Sequence, residues 1–149
     1  MPTSWTQNLY HAVFATERRG EIISPELQER LFPFIGGILK DLGCTPIAIN
    51  GTEDHLHVLA RYPSSLSNAD MVRHVKQRSS VWVHETFPSL RHFCWQRGYG
   101  GFTVSKSLSE EVAQYIRNQK EHHQRYSALE EFNEMLRRNE MEFDPEMLE

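Results

Sequence analysis

Apolar residues recur along this chain with two periods, and the order in which those periods alternate constrains the fold most strongly. Leu9, His11, Val13 and Ala15 alternate with Tyr10, Ala12 and Phe14, the period of a strand. Ser24-Pro25 reads as a helix start, with serine as cap and proline at the first helical position. Leu27, Leu31, Phe34, Ile35, Ile38 and Leu42 follow at helical spacing up to Gly43. Thr45 to Ile49 and His55 to Arg61 read as a hairpin, with the turn expected at Asn50-Gly51. Ser67-x-x-Asp70 resembles a capping box that opens a helix through about Phe87, with Met71, Val72, Val75, Trp82 and Val83 as its stripe. Phe93-Cys94-Trp95 and Phe102-Thr103-Val104 read as short strands around the turn Gly98-Tyr99-Gly100-Gly101. Ser107-x-x-Glu110 reads as the cap of a helix carrying Val112, Tyr115, Ile116 and Gln119, and a last helical stretch holds Leu129, Phe132, Met135 and Leu136. The order β-α-β-β-α-β-β-α-α predicts an α+β sandwich, a mainly antiparallel sheet of four to five strands with helices on one face. The first strand is the expected edge, able to pair with a second copy.

The length of 149 residues fits one domain, residues 1–149, without repeats or linkers. No apolar run approaches the about 18 residues of a membrane span, and no signal peptide is expected in MPTSWTQNLY. Cys44 and Cys94 make neither a disulfide framework nor a zinc cluster, so a reducing cytoplasm is the expected compartment. The net charge of −4 argues against a generic nucleic-acid binder, but it is unevenly placed. Residues 1–60 carry a net of −3, residues 61–125 a net of +5 and residues 126–149 a net of −6. The middle is a candidate anion-binding surface, and 126–149 reads as an acidic, helical, solvated tail.

Two pairs of residues carry chemistry. In a strand, i and i+2 share a face, so His55 and His57 project together while Leu56, Val58 and Ala60 point into a core. Two imidazoles side by side suit a divalent cation. Tyr115 and Gln119 stand at i and i+4, neighbours on one helix face, with His122 and His123 one turn on. A cation held by two histidines and an amide oxygen keeps positions open for phosphate oxygens and helps a phenol act as a nucleophile. That combination points to cutting followed by joining. Read blandly, His55 and His57 are histidines on a half-exposed strand, and Tyr115 is a core or rim residue.

The stretches GTEDHLHVLAR, LYHAVFATERR, FCWQRGYGGFTVSKS and YIRNQKEHH, taken together and in order, resemble the single-tyrosine HUH transposases of small bacterial insertion sequences and their REP-associated, often domesticated relatives. The resemblance runs from about Leu9 to Phe143. It implies that Tyr115 is the nucleophile, that His55 and His57 bind the metal, and that Gln119 is the third ligand. It implies Mg²⁺ or Mn²⁺ as the ion and cleavage of single-stranded DNA through a 5′-phosphotyrosine intermediate, leaving a free 3′-OH. It also implies a ferredoxin-like, RRM-like sheet, recognition of DNA hairpins at element ends, a homodimer, and a cytoplasmic, nucleoid-associated location in a bacterium. The chain departs from such an enzyme in being acidic overall.

Candidate DNA contacts are Arg18, Arg19, Lys76, Arg78, Gln96, Arg97, Tyr99 and Lys106, where basic side chains and rings lie together. A domesticated or inactive hairpin-binding protein is the alternative, although Tyr115, His55 and His57 are all present. A metal-dependent hydrolase ranks third. It would need Asp54 or Glu53 as base, and these two neighbours on a strand cannot share one face.

Overall fold

β1 (Asn8–Ala15) lies in the interior of a four-stranded antiparallel sheet of order β2-β3-β1-β4 in the computed structural model, which describes residues 3–141. Met1, Pro2 and residues 142–149 lie outside the described residues, and with them the last part of the expected acidic tail. β2 (Thr45–Gly51) and β4 (Gly100–Thr103) form the edges, and β3 (His55–Tyr62) pairs with β1 along its whole length. The first strand is therefore flanked on both sides, by β3 and β4, and offers no edge to a second copy. Its near-complete burial follows from helices packed on both faces of the sheet.

The face bearing Ala12, Phe14, Leu56, Val58 and Ala60 packs under α1 (Pro25–Asp41) and α2 (Asn68–Thr86) and forms the main core. Both helices start where their caps predict: the Ser24 hydroxyl accepts from the Leu27 N–H and that of Ser67 from the Asp70 N–H. The opposite face is covered as well. α3 (Ser109–Arg117) sets Ala113 and Ile116 against Ala48 and Leu59. α5 (Ala128–Arg138) sets Phe132 and Leu136 against Val13 and Phe102. Between them runs the single turn α4 (Gln119–His122). The second layer follows from apolar residues on this face too, which one helical layer would leave in water.

Several local readings differ from the structure. Asn50-Gly51 is not the turn: both residues stay in β2, opposite His57 and Leu56, and residues 52–54 make the connection. Gly51 is needed there because a Cβ would stand 2.1 Å from the His55 carbonyl oxygen. Of Phe93-Cys94-Trp95, Trp95 makes a lone bridge to Thr16. Ser107 lies inside a 3-10 turn, Lys106–Leu108, and does not cap α3. The helix with Tyr115 and Gln119 breaks at Asn118, so the two residues belong to α3 and α4.

Candidate active site

His55 and His57 emerge from β3 onto the sheet face between α3 and α5, and both are buried. Each is held from behind through its Nδ1. His57 Nδ1 lies 2.8 Å from Nε2 of His11, a buried histidine on the neighbouring strand. His55 Nδ1 lies 2.9 Å from both the Thr52 hydroxyl and Asp54 Oδ1. The Nε2 atoms are thereby turned toward the same space, the arrangement by which outer partners orient metal-binding imidazoles. Asp54 is engaged outside that space and does not face it as a base would.

Tyr115 and Gln119 reach the same place despite the break at Asn118. Gln119, fully buried, puts Oε1 2.9 Å from His55 Nε2. The ring centroids of Tyr115 and His57 lie 5.9 Å apart. α3 is held to the sheet at its C-terminal end, where Asn50 Nδ2 on β2 donates to the carbonyls of Ile116 (3.1 Å) and Arg117 (3.0 Å). The amide thus adds a side-chain donor to carbonyls at the helix end, where intrahelical partners run out. One chain thus assembles the phenol, both histidines and the amide.

Glu131 on α5 stands in the middle of this set and was not foreseen from the sequence. It is 5% exposed. Its Oε1 lies 2.7 Å from His57 Nε2 and 3.2 Å from His123 Nε2. Its Oε2 accepts from the Tyr115 hydroxyl and, at 3.0 Å, from Gln119 Nε2. One ligand atom from each of His55, His57, His123 and Glu131 lies within 4.8 Å of the others. His123 Nε2 is buried and makes no hydrogen bond. Imidazole nitrogens and a carboxylate at this spacing, one nitrogen without a hydrogen bond, fit a divalent cation. A signal for Glu131 did exist: with Ala128, Phe132 and Leu136 it lies on the inward stripe of its helix, where an acidic residue is out of place.

The electrostatics follow from burial and this carboxylate. Burial would lower His55, but hydrogen bonds to Asp54, Glu131 and Gln119 outweigh it and hold the ring up at about 9. Burial dominates at His57, which falls to about 4, and at His11, which falls to about 3. Burial would raise Glu131, yet the nitrogens of His123, His55 and His57 close around it hold its carboxyl far below the usual range. Burial and the adjacent Glu131 push the Tyr115 phenol well above its usual value. The phenol is thus kept protonated and held against Glu131.

The candidate DNA contacts fall into separate groups. The loop after β1, with Arg18 and Arg19, is joined to the 94–98 segment by Glu17 N–H to Cys94 O (2.8 Å) and Gln96 N–H to Ala15 O (2.9 Å). This gathers Arg18, Arg19, Gln96 and Arg97 at the end of β1 that lies opposite His55. Lys76 Nζ donates to the carbonyls of Gln96 and Gly98, so it holds that segment. Arg78 turns to Asp41 at the end of α1, at 2.8 Å. Tyr99 and Lys106, both exposed, flank β4. Among the described residues no helix is long and apolar enough to cross a membrane.

This fold is that of transposase structures. The chain belongs to the IS200-like transposase family, whose sequence pattern matches residues 4–119. It is 30% identical over 122 residues to the transposase for insertion sequence element IS200 of Salmonella typhimurium, covering 75% of this chain and 76% of that one. The corresponding Salmonella typhi transposase matches to the same extent. Two solved structures share the fold. A Deinococcus radiodurans R1 protein described as a transposase matches with a TM-score of 0.66 and 24% identity, over 80% of this chain and 95% of that one. A REP-associated tyrosine transposase bound to a REP hairpin matches with a TM-score of 0.60 and 15% identity, over 83% of this chain and 73% of that one.

Proposed function

We propose that this chain cuts and rejoins single-stranded DNA with Tyr115 as nucleophile. The reading is carried by one observation: Tyr115, His55, His57 and Gln119, from three separate elements, converge on one buried space within a single chain. The Tyr115 hydroxyl oxygen attacks a backbone phosphorus and gives its proton to solvent, while the bond from phosphorus to the 3′ oxygen breaks and that oxygen takes up a proton. The 5′ end is then held as phosphotyrosine and the other strand ends in a 3′-OH. Rejoining is the reverse attack, by a 3′-OH on the phosphotyrosine, which restores the phenol. His55, His57 and Gln119 would hold a divalent cation, Mg²⁺ or Mn²⁺, which when bound withdraws charge from the phosphate. Hydrogen bonds with His11, Thr52 and Asp54 keep the histidine rings fixed while this happens.

The substrate proposed is single-stranded DNA beside a hairpin at the ends of an element, and the place of action the bacterial cytoplasm at the nucleoid. Hairpin binding is supported by the likeness to the REP-associated tyrosine transposase bound to a REP hairpin and by the loop cluster of Arg18, Arg19, Gln96 and Arg97. A homodimer, if formed, would use the edges β2 or β4 and is not required to bring Tyr115 to His57. The test is to incubate the protein and Mn²⁺ with oligonucleotides copied from the flanks of its gene. A covalent adduct that survives denaturing electrophoresis is expected with the wild type and absent with Tyr115→Phe, while hairpin binding persists. An adduct formed by the phenylalanine variant would overturn the assignment.

A further inference from the structure

We propose that Glu131 is itself a protein ligand of the divalent cation, and that the ion thereby ties α5 to the sheet. This rests on the reading of His55 and His57 given above. Glu131 does more than receive the Tyr115 hydroxyl. Nitrogens of His55 (3.5 Å), His57 (2.7 Å), His122 (3.3 Å) and His123 (3.2 Å) also face it, together with the Gln119 amide. A carboxylate offers about four lone-pair sites, fewer than the groups crowded around this one. His123 Nε2 accordingly makes no hydrogen bond although it is buried at the same spot. Imidazoles that cannot all donate to one carboxylate can all direct lone pairs at one cation, with the carboxylate as an anionic partner. Glu130, on the same turn of α5, shows the contrast: it is exposed and pairs with the Ser127 hydroxyl at the helix start. A set rich in imidazole with one carboxylate suits Mn²⁺ and later first-row ions better than Mg²⁺, which favours oxygen ligands and retains its waters.

The proposal predicts that Mn²⁺ binding and the docking of α5 are linked, which catalysis alone would not reveal. Mn²⁺ is titrated into chelator-treated full-length protein and followed by the electron paramagnetic resonance of the free ion. Amide hydrogen exchange across residues 128–138 is read in parallel. Glu131→Gln, nearly the same shape, is expected to weaken Mn²⁺ binding roughly tenfold or more. Glu130→Gln should bind as the wild type does. Saturating Mn²⁺ should slow exchange in α5 of the wild type and leave it unchanged in Glu131→Gln. Binding by Glu131→Gln within about twofold of wild type would overturn the proposal, and so would α5 exchange in the wild type that ignores Mn²⁺. His57→Ala separates the two readings. If it loses Mn²⁺ and Glu131→Gln does not, the metal centre stands without Glu131. If it binds like the wild type, the metal centre itself is refuted.

Discussion

The seat of α5 on the sheet can be tested at Gly100. This residue lies opposite Val13 on β4, directly beneath the Phe132 ring. A Cβ placed there would stand 2.4 Å from Phe132 Cε2 and 3.2 Å from Phe102 Cε2. Carbon atoms rest at about 3.5–4.0 Å, so the Phe132 ring must retreat by about 1 Å. The ring is packed among Val13, Phe102 and Leu136, and overfilling such a site costs about 1–3 kcal/mol. Gly100→Ala should then lower the melting temperature by about 2–12 °C in a domain of this size. Phe132→Ala removes the ring and should cost about 3 kcal/mol, the low end for a buried phenylalanine, because the residue sits at the margin of the core. In the double variant the new methyl enters the space the ring has left. The combined loss should fall short of the sum by at least about 1 kcal/mol. Urea unfolding of the four proteins measures this cycle. Additivity within about 0.5 kcal/mol would refute the contact, and with it the placement of α5 over β4.

Two further outcomes follow from the site's supports. Asn50→Ala removes the side-chain donor to the Ile116 and Arg117 carbonyls, a loss of about 0.5–1.5 kcal/mol for each bond. If that bond pair positions Tyr115, adduct formation should slow by about tenfold to a hundredfold with hairpin affinity little changed, and a wild-type rate would show that Asn50 has no such role. The second concerns acid. His11 and His57 lie at about 3 and about 4 in the folded chain, chiefly through burial, against an ordinary 6.5. The unfolded chain takes up these two protons near pH 6.5 and the folded chain does not until pH 4 or below. Stability is therefore full above pH 6.5 and falls toward pH 4, by at most about 1.4 kcal/mol per pH unit for each histidine. His55, held at about 9, acts in another window, its contribution fading from pH 6.5 to 9. Guanidinium midpoints of chelator-treated protein at pH 7, 6 and 5 check the slope; a flat profile would contradict the buried, neutral pair.

What could be read from the sequence was what local spacing controls. The alternation through His55, Leu56 and His57 put two imidazoles on one face and the core on the other, and Ser24 and Ser67 marked helix starts that the structure keeps. What could not be read depended on distant partners. Asn50-Gly51 looks like a hairpin turn, but Gly51 is there because the His55 carbonyl passes close by, and Asn50 serves α3. Nothing local in Leu9 to Ala15 distinguishes an interior strand from an edge. Phe93 to Trp95 is apolar because Phe93 and Trp95 fill the core beside Phe14, without a strand partner beyond Thr16. Glu131 was hidden by its neighbourhood, since in so acidic a stretch one more acid reads as solvated. Its position on the inward stripe outweighs its charge.

The site's place in the fold explains why so few residues suffice to build it. A strand pair with both faces buried tolerates no slip, because a shift of one residue would carry His55 and His57 into the apolar layer under α1 and α2. The register of β1 against β3 is therefore as much a determinant of the site as the histidines are. It also sets His11 beside His57, and the same pairing puts Val13 under α5. α3 delivers Tyr115 because Asn50 on β2 holds its end, and α5 delivers Glu131 because Phe132, the next residue, is seated over Gly100. His55, His57, Tyr115 and Glu131 are thus each fixed by a contact a few residues or one strand away. A change at Gly100 or Asn50 should disturb the chemistry without touching any group that performs it.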